Sequence, residues 1–103
     1  MMLLAIDTTA ATATAALFRN GTLIAEREAD ASKKHAETIL PLIDALLEEN
    51  VVTIAQIDRF AVDIGPGSFT GVRIGGSLIT ALAFASGKPV IPVDSLFTLA
   101  LSA

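Results

Sequence analysis

The sequence predicts an α/β fold built on one mixed sheet, in which three antiparallel strands are followed by strands that alternate with helices. Three observations carry that assignment. Short β-prone runs near the N-terminus are joined by Asn20-Gly21, a helical period of apolar residues runs from Lys34 to Asn50, and a Gly-Pro-Gly break separates a buried strand from a second long helix.

Leu3 to Asp7 is a short apolar run ending at an acid and two threonines, and Thr12 to Arg19 is a second run of small and β-branched residues. Asn20-Gly21 follows directly. Both positions tolerate positive φ, so the dipeptide favours a two-residue hairpin that returns Thr22 to Glu28 as a third, antiparallel strand. The period then changes. Ile39, Leu40, Leu42, Ile43, Leu46 and Leu47 share one side of a helical wheel, while Asp44 and Glu48 point away from it. Ser32 suits the N-cap of this helix, and Pro41, which has no N–H to donate, predicts a bend or a late start there.

Thr53 to Gln56 has capping-box spacing for one short turn, and Arg59 to Ile64 reads as a buried strand broken by Gly65-Pro66-Gly67-Ser68. A long helix follows from Phe69 to Ser86, stopped by Gly87 and then Pro89. Val90 to Val93 is a last strand, and Ser95 caps a terminal apolar helix. The order βββαβαβα, with right-handed crossovers making the later strands parallel to the first, matches a ribonuclease H-like half of the actin, Hsp70 and sugar-kinase architecture with a mixed five-stranded sheet.

A chain of 103 residues is expected to be one domain, and because it ends in an apolar segment a second, C-terminal domain is expected to be absent from it. It is 52% hydrophobic and only 17% charged, so some other surface is expected to cover part of it. A net charge of −4 and seven scattered Lys and Arg residues form no basic stripe, which argues against tRNA or DNA binding by this chain alone. There is no Cys and one His, so neither a disulfide framework nor a usual zinc cluster is expected. The N-terminus lacks a basic leader, and the 14 uncharged residues between Arg73 and Lys88 fall short of the roughly 20 that span a bilayer. A cytoplasmic protein with no membrane partner is the expectation.

The helix from Phe69 to Ser86 carries one charge, Arg73, and is otherwise lined by residues such as Val72, Ile74, Leu78, Ile79, Leu82 and Ala83. Such a helix must be covered on more than one side, whereas a single sheet covers only one. Gly75, Gly76, Ser77 and Ala81 make it thin, so another helix can approach closely. With the helix that starts near His35 it forms a two-helix face, which a like pair on another protein completes into a four-helix bundle. The alternative is that a second domain of the same chain covers these residues. Both readings make the helix an interface.

Three stretches could carry chemistry. Asp7 closes the first strand, where α/β folds place groups that meet phosphate or metal ions, although an acid there also serves as a turn or cap residue. Gly65-Pro66-Gly67-Ser68-Phe69-Thr70-Gly71-Val72-Arg73 joins strand to helix and could present free N–H groups to an anion. It lacks the lysine of a P-loop, and reads more simply as a structural turn in which Arg73 pairs with Asp63 or Asp7. His35 and Glu37 could act as acid and base, but no nucleophile accompanies them.

His35-Ala-Glu-Thr-Ile-Leu-Pro-Leu-Ile-Asp44, the stretch Gly65-Pro-Gly-Ser-Phe-Thr-Gly-Val-Arg-Ile-Gly75 and Ala5-Ile-Asp-Thr8 together resemble, in order, the N-terminal half of the TsaB (YeaZ) family of tRNA threonylcarbamoyladenosine biosynthesis. The resemblance implies a non-catalytic partner of TsaD, the glycoprotease-like (M22) subunit that puts threonylcarbamoyl on adenosine 37 of tRNA. TsaD holds a metal through an HxxxH pair; here His35 is followed four residues on by Ile39, which leaves no catalytic or metal residue to carry over. The resemblance further implies assembly with a TsaE-type ATPase, self-association as a homodimer when TsaD is absent, contact with tRNA only through the complex, and ATP or ADP held by the complex and not by this chain. Carried over position by position, the interface candidates are His35, Ile39, Leu42, Ile43, Leu46, Val72, Gly75, Gly76, Leu78, Ile79 and Leu82. Gly65, Pro66, Gly67, Ser68, Gly71 and Arg73 form a structural loop. The rival reading is the nucleotide-binding half of an actin-like ATPase or sugar kinase, with Asp7 at the nucleotide's metal.

Overall fold

A computed structural model of the chain describes residues 1–7, 12–30, 35–63 and 69–93. Strands β1 (Met2–Asp7), β2 (Thr12–Arg19) and β3 (Thr22–Asp30) come first, then helix α1 (His35–Glu49), a single 3-10 turn (Ile54–Gln56), β4 (Arg59–Asp63), helix α2 (Phe69–Ser86) and β5 (Val90–Val93). The sheet runs β3-β2-β1-β4-β5, with β1–β2 and β2–β3 antiparallel and β1–β4 and β4–β5 parallel. The expected terminal helix after Ser95 and the caps at Ser32 and Ser95 lie outside the described residues.

The first hairpin closes as its dipeptide dictates. Asn20 has φ 51° and Gly21 φ 84°, the two left-handed positions that match the twist of the flanking strands. The Asn20 side-chain carbonyl also accepts from the Met1 ammonium, tying the N-terminus to the turn. On β3, Leu17 pairs with Ala25 but Phe18 pairs with Leu23, so Ile24 is left over as a bulge. Edge strand β3 carries Glu26, Arg27 and Glu28, charges that discourage strand pairing with another chain, and on the opposite edge strand β5 Pro92 withholds a ladder donor.

Both helices pack on one face of the sheet. Leu4, Ile6, Ala15, Leu17, Phe60 and Val62 from the strands close against Ile39, Leu42, Ile43 and Leu46 of α1 and Ile79 and Ala83 of α2 in one buried cluster. Leu3, Ala5, Ala16, Phe18 and Ala61 form a second cluster on the other face, with Ile91 against it. This division follows from the period of two in a strand, which sends Leu4 and Ile6 one way and Leu3 and Ala5 the other.

The helix ends show local chemistry satisfied in two ways. After α2, the Lys88 N–H donates to the Ala83 carbonyl at 2.9 Å and the Gly87 N–H to that of Phe84 at 3.2 Å, with Gly87 at φ +68°. After α1 the same pair of bonds recurs, Val52 to Leu47 at 2.9 Å and Val51 to Glu48 at 3.2 Å, but the left-handed position holds a β-branched residue, Val51, at φ 54°. A left-handed conformation costs an L-residue about 1–2 kcal/mol, which glycine avoids at the expense of about 0.5–1 kcal/mol of extra chain entropy. Val51 is 89% exposed, so little burial is lost by removing it. Val51→Gly is therefore expected to raise stability by about 0.5–1 kcal/mol, seen as a higher urea midpoint at constant slope.

The helix α1 runs unbroken through Pro41, in place of the late start that the proline suggested. Pro41 lies on the exposed side, while Ile39, Leu42 and Ile43 around it are buried in the common core. Packing on both sides of the missing donor holds the helix together there.

Candidate functional site

The two helices lie side by side, and the side of α2 that turns away from the sheet is apolar or small. Ile79 and Ala83 face the core at 0% and 2% exposure. A helical step of 100° per residue then places Ser77, Thr80, Ala81, Phe84 and Ala85 on the far side, and all five are exposed. Phe84 stands out at 88% exposure, and Leu40 on α1 is 41% exposed. Phe84 was missed in the sequence because every side of α2 is apolar. The spacing of Ile79 and Ala83, once known to be the buried pair, is the feature that singles it out.

Several expected interface residues are corrected by their burial. Ile39, Leu42, Ile43, Leu46 and Ile79 are only 0–6% exposed and fill this chain's own core, so they present almost no area to a partner. Their helical period records contact with the sheet. Gly76, Leu78 and Leu82 are half-buried and keep part of their surface outward. At Gly76 an added Cβ would meet nothing within 4 Å, so the thin part of α2 borders open space. His35 opens α1, and Gly71, Val72, Arg73 and Gly75 belong to α2, but their surroundings, like the whole of Gly65, Pro66, Gly67 and Ser68, lie outside the described residues. So does the expected pairing of Arg73.

Between the helices and the 3-10 turn is a groove of about 540 Å³, lined by Leu40, Ile43, Asp44, Leu47, Glu48, Val52, Ile54 and Leu82. Positions 40, 43, 44, 47 and 48 form one stripe of α1 at helical spacing, so the groove is a second side of the same amphipathic helix. The turn is held in place by the Gln56 side-chain carbonyl, which accepts from the Thr53 N–H at 2.8 Å, the contact its capping-box spacing predicted. Asp44 and Glu48, which the helical wheel set apart from the apolar arc, form the polar margin of the groove.

At the other end of the sheet, the register that pairs Ile6 with Val62 in parallel brings Asp7 and Asp63 to the same ends of adjacent strands. Asp63 is 3% exposed, and both residues are engaged by neighbours. Among the described residues no three His, Cys, Asp or Glu side chains gather as a metal-binding group, and no helix is long and apolar enough to cross a membrane.

Comparison with known proteins places this geometry. Residues 27–103 match the family model of TsaD, tRNA N6-adenosine threonylcarbamoyltransferase. The chain is 39% identical, over all its length, to the tRNA threonylcarbamoyladenosine biosynthesis protein TsaB of Haemophilus influenzae, of which it covers 43%. Over 70% of its length it is 40% identical to the tRNA N6-adenosine threonylcarbamoyltransferase of Erythrobacter litoralis, covering 21% of that protein. The structure of YeaZ from Pseudomonas aeruginosa superposes with a TM-score of 0.82 at 37% identity, covering 92% of this chain and 43% of that one. The chain thus spans less than half the length of the curated TsaB relatives it matches. Thermus thermophilus RuvC, with a TM-score of 0.58 and 16% identity over 90% of this chain and 63% of its own, shares the ribonuclease H-like fold alone.

Proposed function

The chain belongs to the TsaD family and aligns with its TsaB/YeaZ members, and from that premise we propose that it is a non-catalytic partner of a TsaD-type transferase in threonylcarbamoylation of adenosine 37 of tRNA. The observation that carries the proposal is the uncovered side of α2, where Phe84 is 88% exposed among small residues next to half-buried Leu78 and Leu82. An aromatic ring with small neighbours lets a second helix approach closely and bury much area, the composition of an interface anchor. In this reading a like pair of helices on the transferase completes a four-helix bundle with α1 and α2. A TsaE-type ATPase joins the assembly, and ATP or ADP is held by the complex. Contact with tRNA comes through the complex, the chain pairs with itself when the transferase is absent, and the setting is the cytoplasm.

The test is to mix the chain with a TsaD-type transferase and measure the mass in solution by light scattering. A one-to-one complex is expected. Gly76→Arg is expected to weaken it at least about tenfold, because the open space beside Gly76 accommodates the side chain in the free protein while the guanidinium would be desolvated in the bundle. Failure to form any complex would remove the proposal.

The rival reading, half of an actin-like ATPase or sugar kinase, has one observation in its favour, the side-by-side placement of Asp7 and Asp63 at the ends of parallel strands. ATP turnover that Asp7→Ala abolishes would favour it over the partner role.

A further inference from the structure

Resting on the partner reading, we propose that the groove between α1 and α2 receives a helix that is aliphatic on one side and cationic along its flank, carried by a partner other than a second copy of this chain. The groove has a buried floor of Ile43 and Leu47 and half-open walls at Leu40 and Leu82. Asp44 and Glu48 stand along its margin, both exposed and one helical turn apart. That placement is unfavourable for the chain by itself. Like charges four residues apart repel, and acids close to a helix C-terminus oppose its dipole.

No basic residue of this chain relieves them. The last turn of α1 contains none, and the one cation that reaches the end of the helix, Arg27 on β3, is paired with Glu49. Among the described residues neither Asp44 nor Glu48 meets a cation. An aliphatic trough bordered on one side by two unneutralised carboxylates is complementary to a helix with leucine-like side chains beside Lys or Arg. A second copy is a poor occupant, since a symmetric approach would set its own Asp44 and Glu48 against these and bring together two chains of net charge −4.

The experiment uses two synthetic amphipathic helices of about five turns, one with a leucine stripe flanked by Lys and one with the same stripe flanked by Glu. Binding is followed by fluorescence anisotropy at low and high salt. The Lys helix is expected to bind the chain, to lose affinity as salt rises, and to bind at least about tenfold more weakly to the Asp44→Lys, Glu48→Lys double variant. The Glu helix is expected to reverse this preference and bind only the double variant. Leu40→Ser is expected to weaken the Lys helix several-fold, which general attraction to an acidic surface would not produce. A Lys helix indifferent to the double variant, or to Leu40→Ser, overturns the proposal. Light scattering with the TsaD-type transferase separates the two inferences. A charge preference that swaps, without any transferase complex, keeps the groove and removes the partner reading; a transferase complex together with no swap does the opposite.

Discussion

Phe60→Ala is expected to lower the unfolding free energy by about 3–5 kcal/mol, the largest effect of any single truncation in this chain. Phe60 is 0% exposed on β4, pairs in register with Leu4 on one side and Val90 on the other, and sits in the cluster that both helices close. Removing its ring leaves a cavity bounded by strands on two sides, which cannot move together without losing ladder bonds. A domain of this size is stable by about 5–15 kcal/mol in total, so the variant would lose a third or more of its margin. Phe60→Leu, which keeps most of the volume, should cost less than about 1.5 kcal/mol. Urea denaturation checks both, and a loss below about 1 kcal/mol for the alanine variant would show that the sheet and helices relax into the space and that the core is not organised around this ring.

The second large effect falls on association and leaves the fold intact. Phe84→Glu is expected to weaken binding to a TsaD-type transferase by at least about thirtyfold, the loss of an aromatic anchor worth 2 kcal/mol or more, aggravated by an unpaired charge in the contact. At 88% exposure the ring contributes little to the folded chain, so the unfolding midpoint should move by no more than about 0.5 kcal/mol in equivalent stability. A matched pair of titration calorimetry and urea unfolding reads the two effects separately. Binding unchanged by Phe84→Glu would move the interface off the outer side of α2, whereas a large loss of stability would mean that Phe84 is structural and that its exposure misleads.

These two phenylalanines illustrate what could be read in advance. Phe60 lies in Arg59 to Ile64, a short apolar run between turns, and its burial follows from that run alone. Phe84 lies in a helix apolar nearly all round, where 3.6-residue periodicity cannot distinguish the side that meets the sheet from the side that meets a partner. The same ambiguity placed Ile39, Leu42, Ile43, Leu46 and Ile79 at an interface when they fill the core.

By itself the sequence determined the elements whose causes are local. Asn20-Gly21 made the hairpin because two consecutive residues must accept positive φ, Gly87 ended α2 because the chain needs a left-handed residue there, and Thr53 with Gln56 made the short turn because one side chain reaches back to one N–H. Tertiary structure decided everything that depends on which surfaces meet. It carried α1 through Pro41, set Asp7 beside Asp63, divided each helix between a core side and an outer side, and aligned Asp44 and Glu48 along an apolar groove. The physical reason is that capping and turn preferences act within a few residues, while burial is a property of pairs of elements far apart in the chain. An apolar arc states that a residue needs cover, and only the packing of the sheet against both helices determines what provides it.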